Sequence, residues 1–126
     1  MMKILHVEDD DDIREVAKMA LEFSGKFEVM QCASGDEALE KAAGFAPDII
    51  LIDVMMPGRS GPSTLRELRK TDQMAEIPAI FMTARVQPAE VEALKAESAI
   101  AVIRKPFDAI TLGDQIMDCL KAEAQA

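Results

Sequence analysis

Five residues of the chain carry chemistry that their immediate neighbours lack: Glu8, Asp9, Asp53, Thr83 and Lys105. Each closes a short apolar run. Ile4–Val7 leads into Glu8 and Asp9, Asp48–Ile52 into Asp53, Ala79–Thr83 ends on the hydroxyl with Ala84 after it, and Ile100–Arg104 leads into Lys105-Pro106. Gathered at one edge they make three carboxylates, a hydroxyl and an ammonium. Three carboxylates at close range repel, and one takes up a proton unless a cation is present. Mg²⁺ suits such a group, because it takes oxygen ligands, keeps several waters and needs only one or two protein carboxylates beside a phosphate oxygen. Mn²⁺ is the alternative ion for oxygen ligands. Metal plus lysine neutralises a phosphoryl group in transfer, and a carboxylate nucleophile forming an aspartyl phosphate is an established strategy.

The elements that must position these residues follow from hydrophobic patterning. The runs Ile4–Val7, Asp48–Ile52 and Ala79–Thr83 are nearly unbroken, as in strands buried on both faces of a parallel sheet. Phe27–Cys32 has more polar positions and suits an edge strand, and Ile100–Arg104 completes five. Helical periods fill the gaps. Ile13, Val16, Ala17, Ala20 and Leu21 share one face. Ser34-Gly35-Asp36-Glu37 has the form of a capping box, opening a helix with Ala38, Leu39 and Ala42 inward; Gly44 and Pro47 are expected to close it. Pro62 and Pro88 fit first helical turns, Arg69 and Lys70 suit the dipole at a helix end, and Asp108 is placed to cap a last helix with Leu112, Ile116 and Leu120. Gly113 inside that helix weakens it by about 1 kcal/mol against alanine. The result is βα five times: an α/β, doubly wound parallel sheet with helices on both faces. In such sheets ligands sit outside the carboxyl ends of the strands.

The 126 residues fit one domain. A formal net charge of −9, from 14 basic and 23 acidic residues, argues against unspecific nucleic-acid binding, which needs a basic footprint. Cys32 and Cys119, without a secretory segment, read as reduced thiols of a cytoplasmic protein. The apolar start of the chain is too short for a signal peptide or a membrane span, so no membrane insertion is expected.

Ile4-Leu5-His6-Val7-Glu8-Asp9-Asp10, Asp53-Val54-Met55-Met56-Pro57-Gly58, Met82-Thr83-Ala84 and Lys105-Pro106-Phe107 together resemble the receiver domain of bacterial two-component response regulators. The resemblance spans residue 4 to about 120, with all four motifs in order. It implies a flavodoxin-like (βα)5 fold with strand order 2-1-3-4-5 and a single receiver domain over 1–126, standing alone or cut from a longer protein. It implies that Asp53 accepts a phosphoryl group from a sensor histidine kinase or histidine phosphotransfer protein. Asp9 and Asp53 would bind Mg²⁺ directly, Glu8 mostly through water, and the Met55 backbone carbonyl would complete the protein ligands. Thr83, the Ala84 N–H and Lys105 would hold the phosphoryl group, with a cis bond before Pro106. A downstream protein target would read the face made by the fourth helix, fifth strand and fifth helix. The chain would then be a phosphoacceptor rather than an enzyme, with slow self-catalysed dephosphorylation only.

Taken singly, these residues have ordinary readings. Asp10, Asp11 and Asp12 suit a helix start. Thr83 alone would be a strand residue and Lys105 alone a surface lysine. His6 and both cysteines receive no role, and the nine methionines read as adaptable core filler. The chain also departs from the family pattern. Receivers carry Tyr or Phe three residues before the lysine, where Val102 stands here, and their Gly-Ala with preceding acidic residues is replaced by Ser98-Ala99-Ile100-Ala101. Coupling from Thr83 to the output face is therefore expected through packing shifts. Met55 and Arg85, two residues beyond Asp53 and Thr83, are expected to tune hydrolysis. A competing class is a Mg²⁺-dependent phosphohydrolase with an aspartate nucleophile. It needs a carboxylate two residues after the first as general acid, where Met55 cannot transfer a proton. A nucleotide-binding module lacks both glycine-rich phosphate loops.

Overall fold

The computed structural model describes residues 1–84 and 87–125. Among these, five strands alternate with five helices: β1 (Met2–Val7), α1 (Asp11–Phe23), β2 (Phe27–Cys32), α2 (Gly35–Phe45), β3 (Ile49–Asp53), α3 (Gly61–Leu68), β4 (Ala79–Thr83), α4 (Pro88–Lys95), β5 (Ala101–Arg104) and α5 (Leu112–Ala124). A single 3₁₀ turn, Asp72–Met74, precedes β4. All pairings are parallel, and the sheet order is β2-β1-β3-β4-β5. This is the flavodoxin-like order expected from the motifs.

The sheet separates two apolar layers. Leu5, Val7, Ile50, Ile52 and Phe81 face Ala38, Ala42, Leu65 and Leu68 of α2 and α3. Ile4, Leu51, Ile80, Met82 and Ile103 face Ala20 and Leu21 of α1 and Leu112 and Ile116 of α5. Ile49, Ile50, Leu51 and Ile52 are completely buried, and each contributes roughly 1.5–3 kcal/mol by leaving water. That is why the chain runs through four apolar residues before Asp53: β3 lies between β1 and β4 with helices on both faces.

Five local readings need correction. Helix α2 does not close at Gly44 but continues to Phe45, and Ala46 takes the left-handed turn at φ 55° with its N–H on the Ala42 carbonyl. The ring of Pro47 disfavours helical geometry at the residue before it, so Ala46 is where the chain leaves the helix. Val16 is not inward. It is 46% exposed and shares the outer side of α1 with Met19 (65%) and Phe23 (72%), because the small residues Ala17 and Ala20 bring the helix close to the sheet along a narrower stripe. Asp108 caps the turn that leads into the last helix, accepting from the Ile110 and Thr111 N–H groups, and α5 begins only at Leu112, whose N–H donates to the Asp108 carbonyl at 3.0 Å. Arg69 does more than complement a dipole: its guanidinium donates to the carbonyls of Met74, Ile77 and Ser98. Gly113, expected as a weak point, permits the approach of α5 to α1, since a Cβ there would lie 2.6 Å from the Ser24 Cβ.

Candidate functional site

The sheet ladder continues one step past several strands, and those extra bonds place the site residues. The Glu8 N–H donates to the Cys32 carbonyl at 3.0 Å, and the Lys105 N–H donates to the Thr83 carbonyl at 2.8 Å. After Asp53 the Val54 N–H donates to the Met82 carbonyl at 3.0 Å. Side chains at the carboxyl ends of β1, β3, β4 and β5 therefore share one rim.

At that rim Glu8, Asp9 and Asp53 each offer a carboxylate oxygen, all within 4.8 Å of one another. Glu8 and Asp53 are buried and Asp9 is exposed. Lys105 Nζ lies 2.7 Å from Asp53 Oδ1 and 3.0 Å from Glu8 Oε1. Burial pushes the Asp53 and Glu8 carboxyls above the usual carboxylate range, and Lys105 opposes the push. The ammonium itself is held above its ordinary value: burial works against its charge, but the bonds to Asp53 and Glu8 outweigh it. Thr83 is buried on β4 beside the rim, and Ala84 follows it at the surface. The Lys105–Pro106 peptide is cis. Met55 is 67% exposed. The carboxylate cluster is an all-oxygen donor set, the kind a hard divalent cation takes.

Asp10 caps α1 through Asp12 and Ile13, with Asp11 and Asp12 in the first turn, so these three are helix-start residues. His6 is buried beneath the rim, with Nδ1 accepting from Gln31 Nε2 at 3.1 Å. Burial, then the charges of Lys105 and Arg14, push its pKa down to about 4, so the ring is neutral. Val102 is half-buried on β5 and packs with Leu94 of α4 against the α2–α3 side of the core. Helix α4 contains no fully buried residue. Arg85 lies outside the described residues.

Two site-forming residues escaped the reading of motifs. The Gly61 N–H donates to the Val54 carbonyl at 2.9 Å, and a Cβ on Gly61 would lie 2.3 Å from the Asp53 carbonyl oxygen. Arg14 Nη1 donates to the Glu8 carbonyl at 2.9 Å. A Gly-Pro pair in sequence signals only a helix start, and an arginine in an amphipathic helix signals only a solvated face. Beside Lys105, an open apolar depression of about 490 Å³ is lined by Ile13, Val16, Pro106 and Phe107 among others. No helix among the described residues is long and apolar enough to cross a membrane.

A family model for the response regulator receiver domain matches residues 4–117. The transcriptional regulatory protein CseB of Streptomyces coelicolor is 37% identical over 118 residues, which are 94% of this chain and 49% of that protein. The sensor kinase CckA of Brucella abortus is 36% identical over 122 residues, 95% of this chain but 13% of that protein. The chain thus spans about half, or far less, of the length of these relatives. Among solved structures, the chemotaxis protein CheY4 of Vibrio cholerae superposes with a TM-score of 0.87 at 31% identity, covering 94% of this chain and 98% of that one. A response regulator from Desulfuromonas acetoxidans superposes with a TM-score of 0.85 at 30% identity, covering 97% and 98%.

Proposed function

The chain belongs to the response regulator receiver domain family of two-component signalling, and from that premise we propose that residues 1–126 form one receiver domain whose Asp53 is the phosphoacceptor. One observation carries the proposal: a lysine ammonium bonds both Asp53 and Glu8 at the rim, where Asp9 adds a third carboxylate. The phosphoryl donor is a phosphohistidine of a sensor kinase or phosphotransfer protein. An Asp53 carboxylate oxygen forms the new P–O bond as the P–N bond to the donor imidazole breaks, and the imidazole leaves neutral after taking one proton from solvent.

Glu8, Asp9, Asp53 and the Met55 carbonyl would hold Mg²⁺, which neutralises charge on the phosphoryl oxygens when bound. Lys105 keeps Asp53 ionised against its burial and then pairs with the phosphoryl group. Thr83 and the Ala84 N–H donate to its remaining oxygens. The exposed Val16, Met19 and Phe23 on α1, next to the depression at Pro106 and Phe107, offer the donor an apolar docking side. The downstream partner, a protein, reads the α4–β5–α5 face, where Val102 transmits the change by packing. The protein acts in the cytoplasm as a signalling module.

The test is incubation with Mg²⁺ and acetyl phosphate followed by intact-mass measurement. A single phosphoryl adduct on the wild type and none on Asp53→Asn is the expected result. An adduct on both proteins, or on neither, overturns the assignment.

A further inference from the structure

Arg14 is the fourth residue of α1, and its side chain is only 21% exposed. Its Nη1 donates to the backbone carbonyl of Glu8 at 2.9 Å, and its Nη2 pairs with the exposed Asp11 carboxylate. Its own carbonyl accepts from Gln31 Nε2 at 2.7 Å, which ties this turn of α1 to β2.

We propose that Arg14 is a positioning residue for the carboxylate site: by holding the Glu8 carbonyl it fixes the Glu8–Asp9 peptide and so sets where Asp9 presents its carboxylate. The inference rests on the reading that Glu8, Asp9 and Asp53 hold Mg²⁺.

The three carboxylates are anchored differently. Asp53 is buried and bonded to Lys105. Glu8 is bonded to Lys105 through Oε1 and to the Asp10 N–H through Oε2 at 3.3 Å. Asp9 is exposed and inherits its place from the backbone. That backbone is pinned on one side where the Glu8 N–H joins the sheet ladder, and on the other where Asp10 caps α1. Between the two pins lies the peptide linking Glu8 to Asp9. Its carbonyl is the group Arg14 holds.

Charge gives the opposite expectation, which makes the proposal testable by sign. A guanidinium near a cation site opposes the cation, so its removal should tighten Mg²⁺ binding if charge were its only influence. Asp11 offsets that charge, leaving the guanidinium to act through its geometry. Removing a group that orients metal ligands weakens affinity by about 10–100-fold.

The experiment is calorimetric titration of the unphosphorylated full chain with MgCl₂, using wild type, Arg14→Met, Arg14→Lys and Asp9→Asn. Arg14→Met is expected to bind Mg²⁺ about ten-fold more weakly. Arg14→Lys should fall between, because an ammonium reaches the carbonyl with one bond and lacks the planar fork. Arg14→Lys preserves the charge and most of the packing, so it decides the matter even where Arg14→Met unfolds: affinity equal to wild type overturns the proposal. So does equal or tighter binding by a folded Arg14→Met. If wild type binds no Mg²⁺, or binds it no better than Asp9→Asn, the metal reading itself fails and takes this inference with it. A normal wild type beside a defective Asp9→Asn isolates the outcome to Arg14.

Discussion

Gly61→Ala tests whether the position of Asp53 depends on close approach of α3. The added Cβ would sit 2.3 Å from the Asp53 carbonyl oxygen, 2.8 Å from Ile52 Cγ2 and 3.1 Å from the Asp53 carbonyl carbon. Ordinary contact begins near 3.4 Å, so the backbone of β3 and the first turn of α3 must separate by about 1 Å. Neither is a flexible side-chain tip that can swing aside. The separation strains the bond from the Gly61 N–H to the Val54 carbonyl, which contributes about 1 kcal/mol. Overpacking of this kind destabilises by roughly 1–3 kcal/mol, and alanine's better helix propensity returns less than about 1 kcal/mol. The net expectation is a loss of about 1–3 kcal/mol in urea unfolding. Gly44→Ala is the matched control, because nothing lies within 4 Å of its added methyl, and it should gain about 0.5–1 kcal/mol. A 1 Å shift of a reacting group slows reaction about 10²-fold, so phosphoryl uptake by Gly61→Ala from acetyl phosphate should fall by that order while Gly44→Ala stays normal. Wild-type stability together with wild-type uptake in Gly61→Ala would refute the steric argument.

Four further expectations follow from the geometry. Lys105→Met leaves Glu8 and Asp53 facing each other with burial raising both carboxyls, and uptake at neutral pH should drop at least about 100-fold; a small change would remove the ammonium from the site. His6 stays neutral when folded because its pKa is pushed down to about 4, whereas the unfolded chain protonates near 6.5. Its stabilising contribution is therefore complete above about pH 6.5 and disappears as pH falls toward 4, so metal-free wild type should lose about 3 kcal/mol more than His6→Phe over that range, read from paired denaturation curves. Ala46→Gly relieves the left-handed turn at φ 55° and should raise stability by about 0.5–1 kcal/mol; an unchanged urea midpoint counts against strain there. Met55→Asn exchanges an exposed thioether beside Asp53 for an amide that can orient water, and it should shorten the lifetime of the phosphorylated form as followed by intact mass.

The alternation of strands and helices and the rim residues were legible because strong signals carried them: unbroken apolar runs demand burial on both faces, and carboxylates that end such runs have nowhere to go but the sheet edge, whereas the strand order was implied only by the resemblance to receiver domains. Signals that depend on how closely two elements approach were not legible. Val16 satisfied a helical period yet faces water, since periodicity defines a stripe but not its width. Gly44 looked like a stop, but the steric demand of Pro47 placed the stop at Ala46. Gly61, Gly113 and Arg14 acquire meaning only through partners that are separated along the chain and brought close by the fold: the Asp53 carbonyl, Ser24 and the Glu8 carbonyl. The same holds for Arg69, whose three carbonyl partners belong to segments as far along the chain as Ser98.

The aliphatic side chain at Val102 has an optical consequence. With no Trp and no Tyr anywhere in the chain, the protein has only five phenylalanines as native fluorophores, and its near-ultraviolet emission is almost dark. A single indole placed on half-buried β5 would therefore glow against an empty background, and its colour would report the wetness of that strand alone.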